Sequence, residues 1–146
     1  MDDVRTLLKR IRRERHELRV VQESAAELRG MLLPAGIRYD KDKVQTSPEE
    51  KMSGIVADLI RIEETQSVLV DRLSNDILLA EQLIGAMPTP EYRELIRFRF
   101  IYGGLKPLTW EQVAEKMEYS SDHVRGHLYD KAITEAIRVW TQLNTP

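Results

Sequence analysis

The sequence predicts an all-α protein in which a long antiparallel helical hairpin or coiled coil precedes a smaller C-terminal helical domain. Apolar residues recur at three- and four-residue steps along most of the 146-residue chain, which is the periodicity of amphipathic helices. Charged residues make up 32% of the chain and aromatic residues 6%, a composition typical of helices with long solvated faces. Proline, glycine and short polar residues fall where these periodic stretches end, so they predict the helix boundaries.

Residues 2–33 are predicted to form the first long helix. Its apolar stripe is interrupted at Arg15, which stands where an apolar residue is due, and Pro34 ends the helix. The segment 34–47 has no sustained period, which predicts a linker. The stripe consists of Val4, Leu8, Ile11, Leu18, Val21, Ala25, Leu28 and Leu32.

Residues 48–87 are predicted to form the second long helix, with Ser47 and Glu50 as its capping box. A heptad-like seam runs through it for about five repeats. A domain of about 60 residues is too small to cover a helix roughly 60 Å long, so the seam must pack on the first helix, on another copy, or on both. We therefore interpret 1–87 as a coiled-coil oligomerisation region and 88–146 as a separate domain. The seam consists of Met52, Ile55, Leu59, Ile62, Gln66, Leu69, Leu73, Ile77, Ala80, Ile84 and Met87.

The C-terminal domain is predicted to begin with a helix that Thr89 caps and that ends near Tyr102. A short helix follows, for which Thr109 and Gln112 form a second capping box. After a three-residue turn, Ser120 or Ser121 caps a longer final helix. Two helices joined in this way match the helix-turn-helix pattern. The pattern turns Val113, Ala114, Met117 and Val124 inward, lets Tyr119 plug the turn, and leaves Ser121, Asp122, Arg125, Gly126 and Tyr129 facing outward.

The stretch Thr109–Val124 resembles the C-terminal promoter-binding region of bacterial sigma factors. From about residue 43 to 133 the chain resembles a narrower family, the RinA/ArpU-like late-gene activators of phages and prophages. That resemblance implies a long N-terminal helical region, a linker, a second long helix and a sigma-like helix-turn-helix. The matching stretches are Lys43–Pro48, Arg97–Tyr102, Thr109–Ala114, Tyr119–Ser120 and Leu128–Ile133.

Two features depart from the family pattern. Glu118 occupies a turn position often held by glycine, so it has to accept a left-handed backbone conformation. The final helix carries one extra residue between Val124 and Leu128, which brings His127 near an expected core position. The second departure leaves open which outward residues meet the bases.

The resemblance implies a sequence-specific, DNA-binding transcriptional regulator of phage type that reads a promoter or operator in the major groove of double-stranded DNA. Arg125 is the candidate for bidentate hydrogen bonds to guanine, and Thr109 and Trp110 are candidates for phosphate contacts. We expect a homodimer held by residues 48–87, with RNA polymerase as a further candidate partner. The full set of candidate DNA contacts is Thr109, Trp110, Ser120, Ser121, Asp122, Arg125, Gly126 and Tyr129.

Two other functions remain open at this point. A small terminase-like DNA-packaging subunit would assemble into rings of many copies, and an adaptor that docks on RNA polymerase would not bind DNA. Residues 88–146 carry eight basic and eight acidic residues, which weakens the electrostatic argument for DNA binding. Residues 4–19 carry seven basic and two acidic residues, which either bind phosphates or pair with acidic residues of the second helix.

Nothing in the sequence indicates an enzyme, a cofactor or a metal site. His123 and His127 have i, i+4 spacing, but no third ligand is evident beyond Asp122. No apolar stretch approaches the roughly 20 residues that span a bilayer, and the acidic N-terminus does not look like a secretory signal. The absence of cysteine fits a reducing cytoplasm, and the resemblance to phage regulators implies the cytoplasm of a bacterial host cell, without a membrane partner.

Overall fold

The computed structural model describes residues 3–32 and 48–145, and these residues form helices and turns without a β-strand. The all-α prediction and its two long N-terminal helices are confirmed. The predicted linker 34–47 and the Ser47 cap lie outside the described residues. The helices are α1 (Val4–Met31), α2 (Pro48–Ala86), α3 (Pro90–Phe100), α4 (Trp110–Met117) and α5 (121–143), which joins an α-helical turn Ser121–His123, a π-helical turn Val124–Leu128 and the α-helix Tyr129–Leu143.

The described residues divide into two compact units. The first, which we call the core unit, combines 3–16 with 72–145, and the second, the two-helix unit, combines 17–32 with 48–71. Both long helices therefore contribute to both units. The boundary expected from the sequence, between residues 87 and 88, falls inside the core unit. A few short helices have too little surface to bury their own apolar faces, and the ends of α1 and α2 complete that burial.

One hydrophobic cluster forms the centre of the core unit. Val4 and Leu8 of α1 share this cluster with the last turns of α2, whereas Arg10, further along α1, hydrogen-bonds to Asp76, earlier in α2. The two helices therefore run antiparallel within this unit. The other buried members come from all of the remaining helices: Leu83, Ile84, Met87, Leu95, Ile96, Phe100, Val113, Ala114, Met117, Val124, Leu128, Ala132, Ile133, Ala136 and Val139.

Arg15 is buried, with 1% of its surface exposed, at the point where the apolar stripe of α1 is interrupted. Its guanidinium donates three hydrogen bonds to backbone carbonyl oxygens, one in the last residue of α3 and two in the segment that follows it. Nη1 donates to Phe100 at 2.7 Å, Nη2 to Tyr102 at 2.7 Å and Nε to Gly104 at 2.6 Å. The last carbonyls of a helix lack partners within the helix and form the negative end of its dipole. Arg15 thus caps α3 from another helix and fixes α1 to the C-terminal helices, although burial lowers the pKa of its side chain.

A carboxyl pair, buried Glu14 and half-buried Asp76, lies where α1 faces α2 in the core unit. Arg10 donates to both oxygens of Asp76, at 2.9 Å from Nε and 2.8 Å from Nη2, and these bonds lower the pKa of Asp76. Both oxygens of Glu14 are buried without a hydrogen-bond donor among the described residues, and Nε of Arg10 lies 3.8 Å from Oε1. Burial, followed by the proximity of Asp76, raises the pKa of Glu14 to about 7, against the opposing charges of Arg10 and Arg13. The site therefore favours a protonated Glu14, which can donate to the Asp76 carboxylate.

Thr89 occupies the N-cap position of α3, as predicted. Thr89 has the extended backbone of an N-cap, but its side chain accepts no hydrogen bond from the helix. Its Oγ1 instead donates to Oε1 of Glu135 at 2.7 Å, and its backbone N–H donates to Oε2 at 3.4 Å. Buried Glu135 thereby brings its carboxylate to the positive end of α3. The predicted N-cap position of Thr89 is thus confirmed, but its side chain does not bond to the N–H groups of α3, because its Oγ1 donates to Glu135 instead.

The two-helix unit has a thin apolar layer. Leu18, Ala25 and Leu69 are its buried apolar residues among those described. The other seam positions in this unit are half-buried, except for the exposed Met52. Arg29 Nη2 lies 3.1 Å from Oε1 of Glu63, but the pair is exposed to solvent and contributes little stability. Seven large apolar side chains of the unit are exposed: Val20, Met31, Met52, Val56, Ile60, Val68 and Val70.

Candidate nucleic-acid interface

The short helix α4 begins with the predicted capping box. Thr109 Oγ1 accepts from the backbone N–H of Gln112 at 3.2 Å, and the Gln112 side chain accepts from the Thr109 N–H at 2.9 Å. Two of the unpaired N–H groups at the helix start are satisfied in this way. Buried Val113, Ala114 and Met117 lie on one face of α4, and this face packs into the core unit, as predicted.

The turn after α4 depends on a left-handed residue. Glu118 has φ 61° and ψ 37°, which confirms the conformation expected from its place in the turn. The backbone N–H of Glu118 donates to the Glu115 carbonyl at 3.2 Å, and that of Tyr119 donates to Ala114 at 3.0 Å. This is the hydrogen-bond pattern of a Schellman C-cap, in which glycine is the usual left-handed residue. The turn is therefore well defined, but it carries backbone strain at Glu118.

Ser120 fixes the start of α5. Its backbone is extended, and its Oγ accepts from the N–H of His123 at 3.2 Å. Tyr119, which was expected to plug the turn, is instead exposed, with its ring centroid 5.0 Å from that of His123. The ring centroid of His127 lies 5.7 Å from that of His123, so three aromatic side chains form a row along the outer surface of α5.

The extra residue expected between Val124 and Leu128 is accommodated by the π-helical turn. The backbone N–H of Tyr129 donates to the carbonyl of Val124, five residues earlier. At about 100° per residue, a regular α-helix would turn Val124 about 120° away from Ala136. One inserted residue removes about 100° of that offset, so both side chains are buried on one face. His127 is exposed for the same reason, and not in the core position expected for it.

The structure brings together five of the eight candidate DNA contacts. Ser120, Asp122, Arg125 and Gly126 are exposed on the first two turns of α5, and Ser121 beside them is half-buried. Exposed Thr109 lies at the other end of the motif, at the start of α4.

The remaining two candidates, Trp110 and Tyr129, contact each other instead of sharing that outward surface. Their rings meet edge to face with centroids 5.1 Å apart, and both are half-buried. The guanidinium of Arg99 lies 4.3 Å from the Trp110 ring centroid, and its Nη1 donates to the Leu108 carbonyl at 2.6 Å. These two aromatic residues therefore hold α4 against α5.

Basic residues of three helices act electrostatically on this aromatic contact, a grouping that was not predicted from the sequence. Burial lowers the pKa of Arg99, and the nearby positive charges of Arg12 and Arg125 lower it further. Burial raises the pKa of Tyr129, while the charges of Arg99, Arg5 and Arg12 act to lower it. Residues far apart in the chain thus act electrostatically on the same site. The spacing of Arg5 and Arg12 along α1 was visible in the sequence, but the position of α1 relative to α5 was not.

The chain matches no known family model, no curated protein and no solved structure in the comparisons made. No helix among residues 3–32 and 48–145 is long and apolar enough to cross a membrane. Within the same residues, no three histidine or acidic side chains group closely enough to hold a metal ion.

Proposed function

We propose that the protein is a sequence-specific DNA-binding transcriptional regulator that reads double-stranded DNA with the α4–turn–α5 segment as a helix-turn-helix. The observation that carries the proposal is the first two turns of α5. They are capped by Ser120, fixed to the core by Val124 and Leu128, and exposed along their outer face at Arg125 and Gly126. A rigid helix that presents such a face matches the element that enters the major groove.

Arg125 and Gly126 have complementary roles in this proposal. Arg125 is exposed and has no ion-pair partner among the described residues, so its guanidinium is free to donate two hydrogen bonds to guanine O6 and N7. An added Cβ at Gly126 would meet no atom within 4 Å, so packing does not require glycine there. A glycine that lowers helix stability without a packing reason is consistent with a need for close approach to the duplex. The resemblance to phage activators and to the promoter-binding region of sigma factors points to the same function.

Selection of binding sites from random DNA, followed by footprinting, tests the proposal. Full-length protein should enrich a common sequence, and Arg125→Ala should relax the preference at one base pair by about 1–3 kcal/mol. Lys131→Ala, an exposed cation on a later turn of α5, is the matched control and should leave the preference unchanged. Failure to enrich any sequence, with no salt-sensitive DNA binding, would favour the RNA polymerase adaptor.

We also propose that a second copy of the chain packs on the two-helix unit. Three buried apolar residues are a small core for two helices, and the exposed apolar side chains include Met52, Val56 and Ile60 at successive four-residue steps of α2. A symmetric dimer would bury this stripe and present two DNA-reading helices to paired half-sites.

The assembly is measured by sedimentation equilibrium of the full chain. Wild type should be a dimer at micromolar concentration, and Val56→Asp with Ile60→Asp should shift it to monomer, because buried unpaired carboxylates are costly. Ala57→Asp places a single carboxylate at an exposed position off the apolar stripe and should leave the dimer intact. A wild-type monomer would refute the dimer, and a ring of many copies would favour the packaging function.

A further inference from the structure

We infer that α1 forms part of the DNA interface: Arg5, Lys9 and Arg12 make a basic face that binds the phosphodiester backbone of the duplex that α5 enters. This inference rests on the proposed function and extends it from the helix-turn-helix to the N-terminal helix. It assigns a partner to a run of basic residues for which two explanations were open.

Helix geometry places the three cations on one face. Residues 5, 9 and 12 are separated by steps of four and three, so at about 100° per residue they lie within about 60° of one another. All three are exposed. Along the helix axis they extend about 10 Å, so three positive charges are available to one short stretch of phosphodiester backbone.

The buried contacts of α1 hold this basic face beside α5. Val4 and Leu8 enter the same cluster as Val124 and Leu128, and Arg15, one turn beyond Arg12, is bonded to the end of α3. The charges of Arg5 and Arg12 act on Tyr129 of α5, and those of Arg12 and Arg125 act on Arg99. This part of α1 and the start of α5 therefore pack on one hydrophobic cluster, with the charges of Arg5 and Arg12 within electrostatic reach of Tyr129.

Other cations of α1 interact with groups of the protein. Arg10 is bonded to Asp76 and Arg15 to backbone carbonyls. Arg5, Lys9 and Arg12 form no ion pair among the residues that the structure describes. The nearby carboxylate of Asp3 accepts from the Thr6 backbone N–H at 2.8 Å, and so caps α1. The explanation that basic residues of α1 pair with acidic residues of α2 thus holds for Arg10 and leaves this face available to phosphates.

The test uses two triple variants of equal charge change. The α1 variant combines Arg5→Gln, Lys9→Gln and Arg12→Gln. The control combines Lys51→Gln, Arg72→Gln and Lys131→Gln. Each control position is exposed on α2 or α5. Binding to a random-sequence duplex of about 30 base pairs is measured at several salt concentrations, because phosphate contacts are independent of sequence. Loss of three contacts should reduce the slope of log K against log salt by about 2–3 and weaken binding at least about tenfold at low salt. The control should retain most of the wild-type slope.

The possible results separate the inference from the function on which it rests. The role of α1 would be overturned if the α1 variant kept the wild-type slope of log K against log salt, or if the control lost as much of that slope. This holds even if Arg125→Ala abolishes discrimination between DNA sequences. Absence of DNA binding by wild type would overturn the proposed function itself. Because the chain has no cysteine, a DNA-cleaving reagent can also be attached at Lys9→Cys. On a selected site it should cut beside the half-site that Arg125 reads, and cuts elsewhere or none would contradict the inference.

Discussion

The three hydrogen bonds of Arg15 make its replacement the sharpest test of how the core unit is held together. Arg15→Met keeps an unbranched apolar stem and removes the guanidinium from the carbonyls of Phe100, Tyr102 and Gly104. Hydrogen bonds from a charged donor contribute about 1.5–3 kcal/mol each, so three would contribute about 4–9 kcal/mol if they were additive. The burial cost of the cation reduces this sum, and water can reach the exposed residues Tyr102 and Gly104 once the arginine is gone. We therefore expect a net loss of about 3–5 kcal/mol in the free energy of unfolding.

Urea unfolding followed by tryptophan fluorescence is suited to this measurement, because Trp110 and Trp140 both lie in the core unit. The matched control is Arg12→Met, an identical substitution on the exposed face of α1, which should change stability by less than about 0.5 kcal/mol. Arg15→Lys keeps the charge but loses the planar fork, so it should fall between wild type and Arg15→Met and serves if the latter does not fold. A loss below about 1 kcal/mol for Arg15→Met would show that the cap contributes little, and would refute the reasoning.

Three further predictions follow from particular residues. Glu118→Gly should stabilise the protein by about 1 kcal/mol, because glycine relieves the strain of the left-handed backbone. Glu115→Gly, within α4, should destabilise the protein by a similar amount. Urea titrations that give both changes in stability the same sign would reject backbone strain at Glu118. Glu14→Gln should remove a pH-dependent contribution to the free energy of unfolding. The pKa of Glu14 is about 7 in the folded state against an ordinary 4.5, so the stability that neutral Glu14 provides is fully present below about pH 4.5 and is lost as the pH rises through 7. The loss should amount to about 3 kcal/mol in all. A wild-type-minus-variant difference that stays flat from pH 4 to 8 would contradict this. Gly126→Ala and Gly85→Ala should both stabilise the protein by up to about 1 kcal/mol, since an added Cβ meets no atom within 4 Å at either site. Of the two, only Gly126→Ala should weaken DNA binding. Unchanged DNA affinity of Gly126→Ala would argue against close approach to the duplex at this residue.

Much of the local structure around the candidate site was predictable from the sequence. The capping box of Thr109, the left-handed Glu118 and the extra residue before Leu128 each depend on residues within a few positions of one another. Hydrogen-bond patterns of that range are determined by short sequence motifs. Tyr119 and Tyr129 were misplaced because the direction of a side chain at a turn or after a π-helical turn depends on which surface packs behind it.

The helices, their N-cap positions and the apolar stripes of α1 and α2 follow from the sequence alone, because periodicity and capping are local properties of the chain. How those stripes are shared depends on long-range packing. It divided both long helices between two units, completed the C-terminal core with Val4 and Leu8, and turned the apparent defect at Arg15 into a cap on a helix some 85 residues away. No sequence pattern discloses such a contact, because the carbonyl groups that Arg15 binds are present in every residue type and become acceptors for it through their position in space alone.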